Sequence, residues 1–142
     1  MFSSEIKDKL NKCHCFIGVF PRDKLPKIRK YPFCLVVNTD PADQPGQHWV
    51  AVFATQEKTE YFDSFGLPPF HQEIITFLQN CQGNIEFNTI TLQTATAKTC
   101  GHYCIIFILM RCEGYSFDHM MSIFTRNTLL NDILAKFYKE MT

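Results

Sequence analysis

A chain of 142 residues that is 46% hydrophobic, with 14 Phe, is long enough to bury one real core and too short for two, so residues 1–142 read as a single domain. The longest apolar run, Tyr103 to Met110, falls well short of the roughly 20 residues a membrane-spanning helix needs. Net charge is zero but unevenly placed: residues 1–30 hold eight Lys and Arg against three acidic residues, a local +5 that the remainder balances.

The first residues, Met1 to Lys9, carry charges where a signal peptide carries its apolar stretch, which points to a protein that is intracellular as made. Seven cysteines without such a signal argue for reduced thiols over a disulfide framework. Cys13-His14-Cys15 with Cys34 can be drawn as a metal cluster, but a Cys-x-Cys pair without a second spaced pair reads first as small buried hydrophobes. The basic residues from Lys7 to Lys30 form either a solvated face or a surface for an anionic partner such as DNA.

In chain order, Ser3 or Ser4 is expected to cap a short helix with Ile6 and Leu10 at helical spacing. Gly18 to Pro21 reads as a loop or short extended piece, and Phe33 to Asn38 as a strand covered on both faces. Asp40 to Gly46 is a loop. His48 to Thr55 and Thr59 to Asp63 form a hairpin turning at Gln56-Glu57-Lys58, which brings His48 and Asp63 to the same end. If the turn centres near Glu57 and Lys58, the residue opposite His48 lies a few positions beyond Asp63. Ile74, Ile75, Phe77 and Leu78 predict a helix over Phe70 to Cys81, and alternation predicts a strand over Ile85 to Leu92. A polar loop, Gln93 to Thr99, leads into a helix that starts at Cys100 and is apolar almost all round. Helices over Phe117 to Phe124 and Asn127 to Tyr138 complete the chain, with no repeat or linker.

Four residues on these elements suit thiol catalysis. A helix N-terminus, with unpaired N–H groups and the positive end of its dipole, lowers the pKa of a thiol placed there, so Cys100 is the candidate nucleophile. His48 would take the thiol proton and return it to the leaving amine, while Asp63 holds the imidazole in one tautomer. Gln93 would offer its amide N–H to the oxyanion. Each has a plainer rival: buried core for Cys100, a turn for Asp63-Ser64-Phe65-Gly66, and a loop amide for Gln93.

Other residues are set aside. His102 is nearest Cys100 in sequence, but residues two apart on a helix point to different sides, so a surface or partner role is expected. Trp49 should face the opposite side of the sheet from His48 and pack in the core. Cys104, one turn after Cys100, reads as buried packing, and Met120, Met121 and Phe124 read as core.

Taken together, these segments resemble the adenovirus endopeptidase family, the adenains, and more broadly the SUMO-specific proteases. The residues that carry the resemblance are Phe16 to Phe20, Leu35 to Thr39, Gly46-Gln47-His48-Trp49, Tyr61 to Gly66, Gln93 through Cys100-Gly101, and Phe117 to Met120. The resemblance implies an α+β, papain-like fold of permuted order, in which the nucleophile's helix packs on a mixed sheet that carries the His and the acid. It implies a cysteine endopeptidase that cleaves viral precursor proteins after small residues, Gly especially, during particle maturation in the host nucleus and virion.

An activating peptide tethered through a disulfide, and a DNA cofactor, are implied as well. Cys81 lies near the tethering position, with burial at a helix end as its alternative, and residues 7–30 would meet the DNA. Two features depart from the adenovirus enzymes: Asp63 stands where they carry Glu, matching the SUMO-protease side, and the chain is shorter toward its C-terminus. A deubiquitinating or deSUMOylating isopeptidase acting on Gly-Gly tails, and a catalytically silent binding module of this fold, stay open.

Overall fold

The structure, a computed structural model, describes residues 1–43 and 48–141. Gln44 to Gln47, the end of the expected loop and the residue before His48, lie outside the described residues. Among those described, one mixed five-stranded sheet runs in the order β1 (Phe16–Pro21), β2 (Phe33–Asn38), β3 (Trp49–Ala54), β4 (Lys58–Phe62), β5 (Asn84–Phe87). The outer pairs β1–β2 and β4–β5 are parallel and the two inner pairs antiparallel. The helices are α1 (Ser3–Leu10), α2 (Gln72–Gln79), α3 (Cys100–Cys112), α4 (Phe117–Ser122) and α5 (Thr128–Met141). This is the expected α+β architecture.

Side chains alternate across a strand, and the central strands use both faces. Cys34 and Val36 on β2, Trp49, Ala51 and Phe53 on β3 and Phe62 on β4 face a core shared with α1, α3, α4 and α5. Phe33, Leu35 and Val37, Val50, Val52 and Ala54, and Tyr61 face a second core closed by Ile74, Phe77 and Leu78 of α2. Strands buried on both sides have no polar face, which is why Phe33 to Asn38 reads as one apolar run. Phe62 stacks on Phe107 of α3 at 5.0 Å between ring centroids.

Several boundaries differ from the sequence expectations. Phe2 caps α1, with the Glu5 carboxylate accepting its backbone N–H at 3.1 Å, and Ser3 is already helical. The strand expected over Ile85 to Leu92 stops at Phe87, because Asn88 turns inward to hold the backbone of Asp63. β5 is an exposed edge strand. The last helix starts one residue later than expected, with the Asn127 side chain accepting the N–H of Leu130 at 3.1 Å. Gly83, at φ +78°, lets the chain after α2 press on the β3–β4 turn; a Cβ there would lie 2.2 Å from the Glu57 carbonyl.

The C-terminal end of α3 is bound to β4 by charge. Arg111 donates to both carboxylate oxygens of the buried Glu60, at 2.7 and 3.2 Å, and lies over the Phe53 ring at 4.4 Å. No helix among the described residues is long and apolar enough to cross a membrane.

Candidate active site

His48, Asp63, Gln93 and Cys100 meet at one end of the sheet, where β3 begins, β4 ends and α3 starts. His48 directly precedes β3, and its carbonyl accepts the Thr39 N–H at 3.0 Å, so its backbone is fixed beside β2. The β3–β4 register pairs Ala51 with Phe62; continued outward it sets Phe65 opposite His48, two residues beyond Asp63. The rings of His48 and Phe65 lie 5.0 Å apart. Asp63 is the diagonal neighbour on the same face, within reach across an antiparallel pair. Its Oδ1 lies 2.9 Å from His48 Nε2.

Asp63 is only 4% exposed and is held from several directions. Oδ1 also accepts the Phe65 N–H at 2.8 Å, while the Asn88 side chain accepts the Asp63 N–H at 3.0 Å and donates to its carbonyl at 2.6 Å. With Nε2 taken by Asp63, Nδ1 is the nitrogen left for the Cys100 thiol, the second group that acts on the imidazole. Burial, the largest influence, favours the neutral ring. The hydrogen bonds and charges of Asp63 and Cys100 outweigh it and raise the His48 pKa to about 9.

Cys100 is the first residue of α3 and 6% exposed, so its thiol meets the first, unpaired N–H groups of that helix. Trp49 packs in the same core as Cys100, and a Cβ on Gly101 would lie 3.4 Å from Trp49 Cδ1. The expected core role of Trp49 therefore places it on the α3 side of the sheet, walling the helix start. Cys104 is completely buried, and burial raises its pKa, which keeps it a thiol.

Gln93 is 2% exposed. Its Oε1 accepts from the Ser64 hydroxyl in a short hydrogen bond, and its Nε2 donates to the Ala97 carbonyl at 3.0 Å, leaving one amide hydrogen uncommitted. The turn after Asp63 docks on the strand of loop leading to Gln93: Leu92 N–H reaches the Ser64 carbonyl at 2.8 Å and Thr91 Oγ1 donates to the Phe65 carbonyl at 2.7 Å. Gly66, at φ +70°, permits the contact, since a Cβ there would lie 2.7 Å from the Ile90 backbone.

The loop from Gln93 to Cys100 is anchored from α5. Asp132, buried, accepts from Thr94 N–H at 3.1 Å, Thr94 Oγ1 at 2.9 Å, Thr99 Oγ1 at 2.9 Å and Tyr103 OH at 2.9 Å. Beside it Asn131 donates to the Leu92 carbonyl at 3.1 Å. Ser64, Asn88, Asn131 and Asp132 escape a reading of the sequence because each looks like an ordinary turn, loop or helix polar residue. A polar pair inside the apolar pattern of the last helix is the one local signal for the last two.

The remaining candidates lie elsewhere. His102, for which a surface or partner role is expected, is half-buried. Burial, with the nearby Lys139 and Lys136 charges, lowers its pKa to about 4, so it faces the terminal helices. Cys81 is half-buried beyond the end of α2, its thiol donating to the Phe77 carbonyl at 3.3 Å, and burial raises its pKa. In the basic segment Arg22 is engaged by Glu73 at 3.5 Å and the Thr39 carbonyl at 2.7 Å, while Lys24, Lys27, Arg29 and Lys30 are exposed. Among the described residues, the side chains grouped closely enough to hold a metal, Cys15, Cys34 and Cys112, lie away from this site.

No protein-family model matches the chain. It is 28% identical over 103 residues to a cysteine protease of African swine fever virus, a match covering 63% of this chain and 37% of the viral protein. The crystal structure of the African swine fever virus protease pS273R superposes with a TM-score of 0.66 at 21% identity, over 97% of this chain and 65% of that one. SUMO protease Ulp1, in a structure whose catalytic cysteine is oxidised to a sulfinic acid, superposes with a TM-score of 0.51 at 10% identity, over 96% of this chain and 78% of that one. The chain thus spans less than two thirds of the African swine fever virus protein it matches. By sequence and fold together it is similar to that viral cysteine protease and is structurally related to Ulp1, the clan its His-Trp, Asp, Gln and Cys-Gly pattern resembles.

Proposed function

We propose that this chain is a viral-type cysteine endopeptidase, with Cys100 as nucleophile, His48 as general base and acid, Asp63 as the group that orients His48, and Gln93 as oxyanion donor. The observation that carries this reading is the imidazole of His48, bonded through Nε2 to Asp63 at 2.9 Å and near enough to the thiol of Cys100, at the first turn of α3, for that thiol to raise its pKa.

Proton transfer from Cys100 to His48 Nδ1 leaves a thiolate beside an imidazolium. The thiolate adds to the scissile carbonyl, and the oxyanion meets the free amide hydrogen of Gln93 and the first N–H groups of α3. Collapse expels the amine with the proton from His48 and leaves a thioester on Cys100. Water, deprotonated by His48, adds to the thioester and regenerates the thiol as the acid product departs.

The substrates in this proposal are structural precursor proteins cut after small, Gly-containing sites during particle maturation. A narrow approach to the thiol would select such sites, because larger side chains would clash there. An unbiased cleavage-site profile of the purified chain tests it: cuts after Gly in precursor-type peptides are expected, whereas exclusive cleavage of ubiquitin- or SUMO-derived tails would replace the reading with the isopeptidase. Labelling of Cys100 by a vinyl sulfone, lost in His48→Ala, is expected, and absence of labelling would favour a silent binding module.

The proposal extends to an activating peptide tethered at Cys81 and to DNA bound by the basic residues 7–30. Phosphate binding by exposed cations weakens steeply with salt. DNA affinity at two salt concentrations should therefore fall with salt and fall again when Lys27, Arg29 and Lys30 are changed to Ala. Unchanged affinity would remove that segment, and an unaltered response to peptide in Cys81→Ala would remove the tether.

A further inference from the structure

At the opposite end of α3 from Cys100, three sulfurs converge from distant parts of the chain. Cys15 directly precedes β1, Cys34 stands in β2 and Cys112 closes α3. Cys15 Sγ lies 3.5 Å from Cys34 Sγ and 3.6 Å from Cys112 Sγ, and all three lie within 4.8 Å of one another. The buried Cys13, two residues before Cys15, packs in the same core beside this group. All four are unbridged, and Cys13, Cys15 and Cys34 are buried.

Packing alone asks only for small apolar groups, and three sulfurs within 4.8 Å of one another satisfy a narrower requirement. A tetrahedral zinc site with Zn–S bonds of about 2.3 Å has sulfur–sulfur edges of about 3.8 Å. The two shorter separations already fall near that edge. The donor set is all sulfur, which selects soft or borderline ions such as zinc and disfavours calcium and magnesium, which require oxygen. Four thiolates leave no open position, which marks a structural site.

We propose that Cys15, Cys34 and Cys112, with Cys13 as the fourth donor, bind a single zinc ion that ties the C-terminal end of α3 to the parallel pair β1–β2. Loading releases the thiol protons to solvent, and the S–H···S contacts give way to Zn–S bonds. Cys13, Cys15 and Cys34 are three of the four donors, and the fourth, Cys112, is invisible as a partner until α3 is packed.

The test uses the full chain, purified anaerobically under reducing conditions, equilibrated with zinc and desalted. One zinc per chain is expected by elemental analysis, retained in Cys100→Ala and lost in Cys15→Ser and Cys112→Ser. Zinc lost in Cys100→Ala and kept in Cys15→Ser would place the ion at the Cys100–His48 pair and overturn the proposal. Cobalt in place of zinc probes the unaltered chain, independent of whether the variants fold. Thiolate-to-cobalt charge transfer with the intense visible bands of a tetrahedral site, at the strength of three or four Co–S bonds, supports the site. Bands of two or fewer, no bound metal, or a disulfide joining Cys15 to Cys34 or Cys112 under the same reducing conditions overturns it.

Discussion

Asp63 Oδ1 bonds His48 Nε2 at 2.9 Å even though the register of their hairpin sets Phe65 across from His48. The contact is diagonal, and the turn that follows β4 makes it. The Phe65 N–H bonds the same carboxylate oxygen, so one atom fixes both the imidazole and the turn that carries the ring packed on it. Asp63→Ala should therefore lower kcat by about 10²–10⁴, the range of positioned acid–base catalysis. Asp63→Asn keeps the hydrogen-bonding shape and removes the charge, and substrate binding should remain nearly intact. Steady-state kcat and KM for the two variants check this; equal and small losses in both would separate Asp63 from the chemistry.

The raised pKa of His48 sets a pH window. The ring is protonated in folded and unfolded chains alike below its ordinary value of 6.5, so its contribution to stability is fully present there; it is lost as pH rises toward about 9, where the folded ring deprotonates. Denaturation midpoints should accordingly fall between these limits. Activity needs the imidazolium as acid, so kcat/KM should decline on the alkaline side near 9, and Asp63→Asn should move that decline to lower pH. An alkaline limb unmoved by the substitution would assign it to another group.

Gln93→Ala should lower kcat by roughly 10²–10³, the loss typical of one oxyanion donor. Ser64 acts on the same amide through its short hydrogen bond to Oε1. Ser64→Ala should give a smaller loss that does not add to that of Gln93→Ala, which a double-mutant cycle measures. Additive losses would mean that Ser64 acts by some other route.

Asp132→Ala would remove the acceptor of the buried Thr99 hydroxyl and of the part-buried Thr94, and leave Tyr103 OH only the Leu92 carbonyl at 3.3 Å. An unsatisfied buried polar group costs about 1–3 kcal/mol, so stability should fall by about that amount. Urea unfolding reads the loss, and slower labelling of Cys100 should accompany it. Unchanged stability would contradict the anchoring role.

Arg111→Ala would leave the buried Glu60 only the more distant Lys58 ammonium, at 3.6 Å, in place of its bidentate partner, a change worth up to about 3–5 kcal/mol. Replacing both, Arg111→Met with Glu60→Leu, should restore most of the loss, because no lone charge remains buried. The same unfolding measurement distinguishes the two; equal losses would argue against uncompensated charge as the cause.

Much of this fold is legible along the chain because burial on both faces writes long apolar runs, as in Phe33 to Asn38, and a hairpin writes its turn. His48, Asp63 and Cys100 are legible for a related reason: each sits where an apolar element begins or ends, a place with a definite end and polarity. Asn88 and Asp132 are not, because a polar residue in a loop or on a terminal helix looks solvated until tertiary packing closes over it. The same holds for Cys112, whose contact with Cys15 joins residues 97 apart in sequence. Cys13 and Cys15 alone carry too little spacing information to name their partners.

The anchoring of residues 92–103 by Asn131 and Asp132 has a temporal meaning. During synthesis the hairpin, the nucleophile and the loop between Gln93 and Cys100 all leave the ribosome before the carboxylate that binds Thr94, Thr99 and Tyr103. A nascent chain ending before residue 131 has every side chain of the thiol site and lacks the tether that shapes it. Under the proposed function, the thiol site would then be complete only once α5 has packed against it.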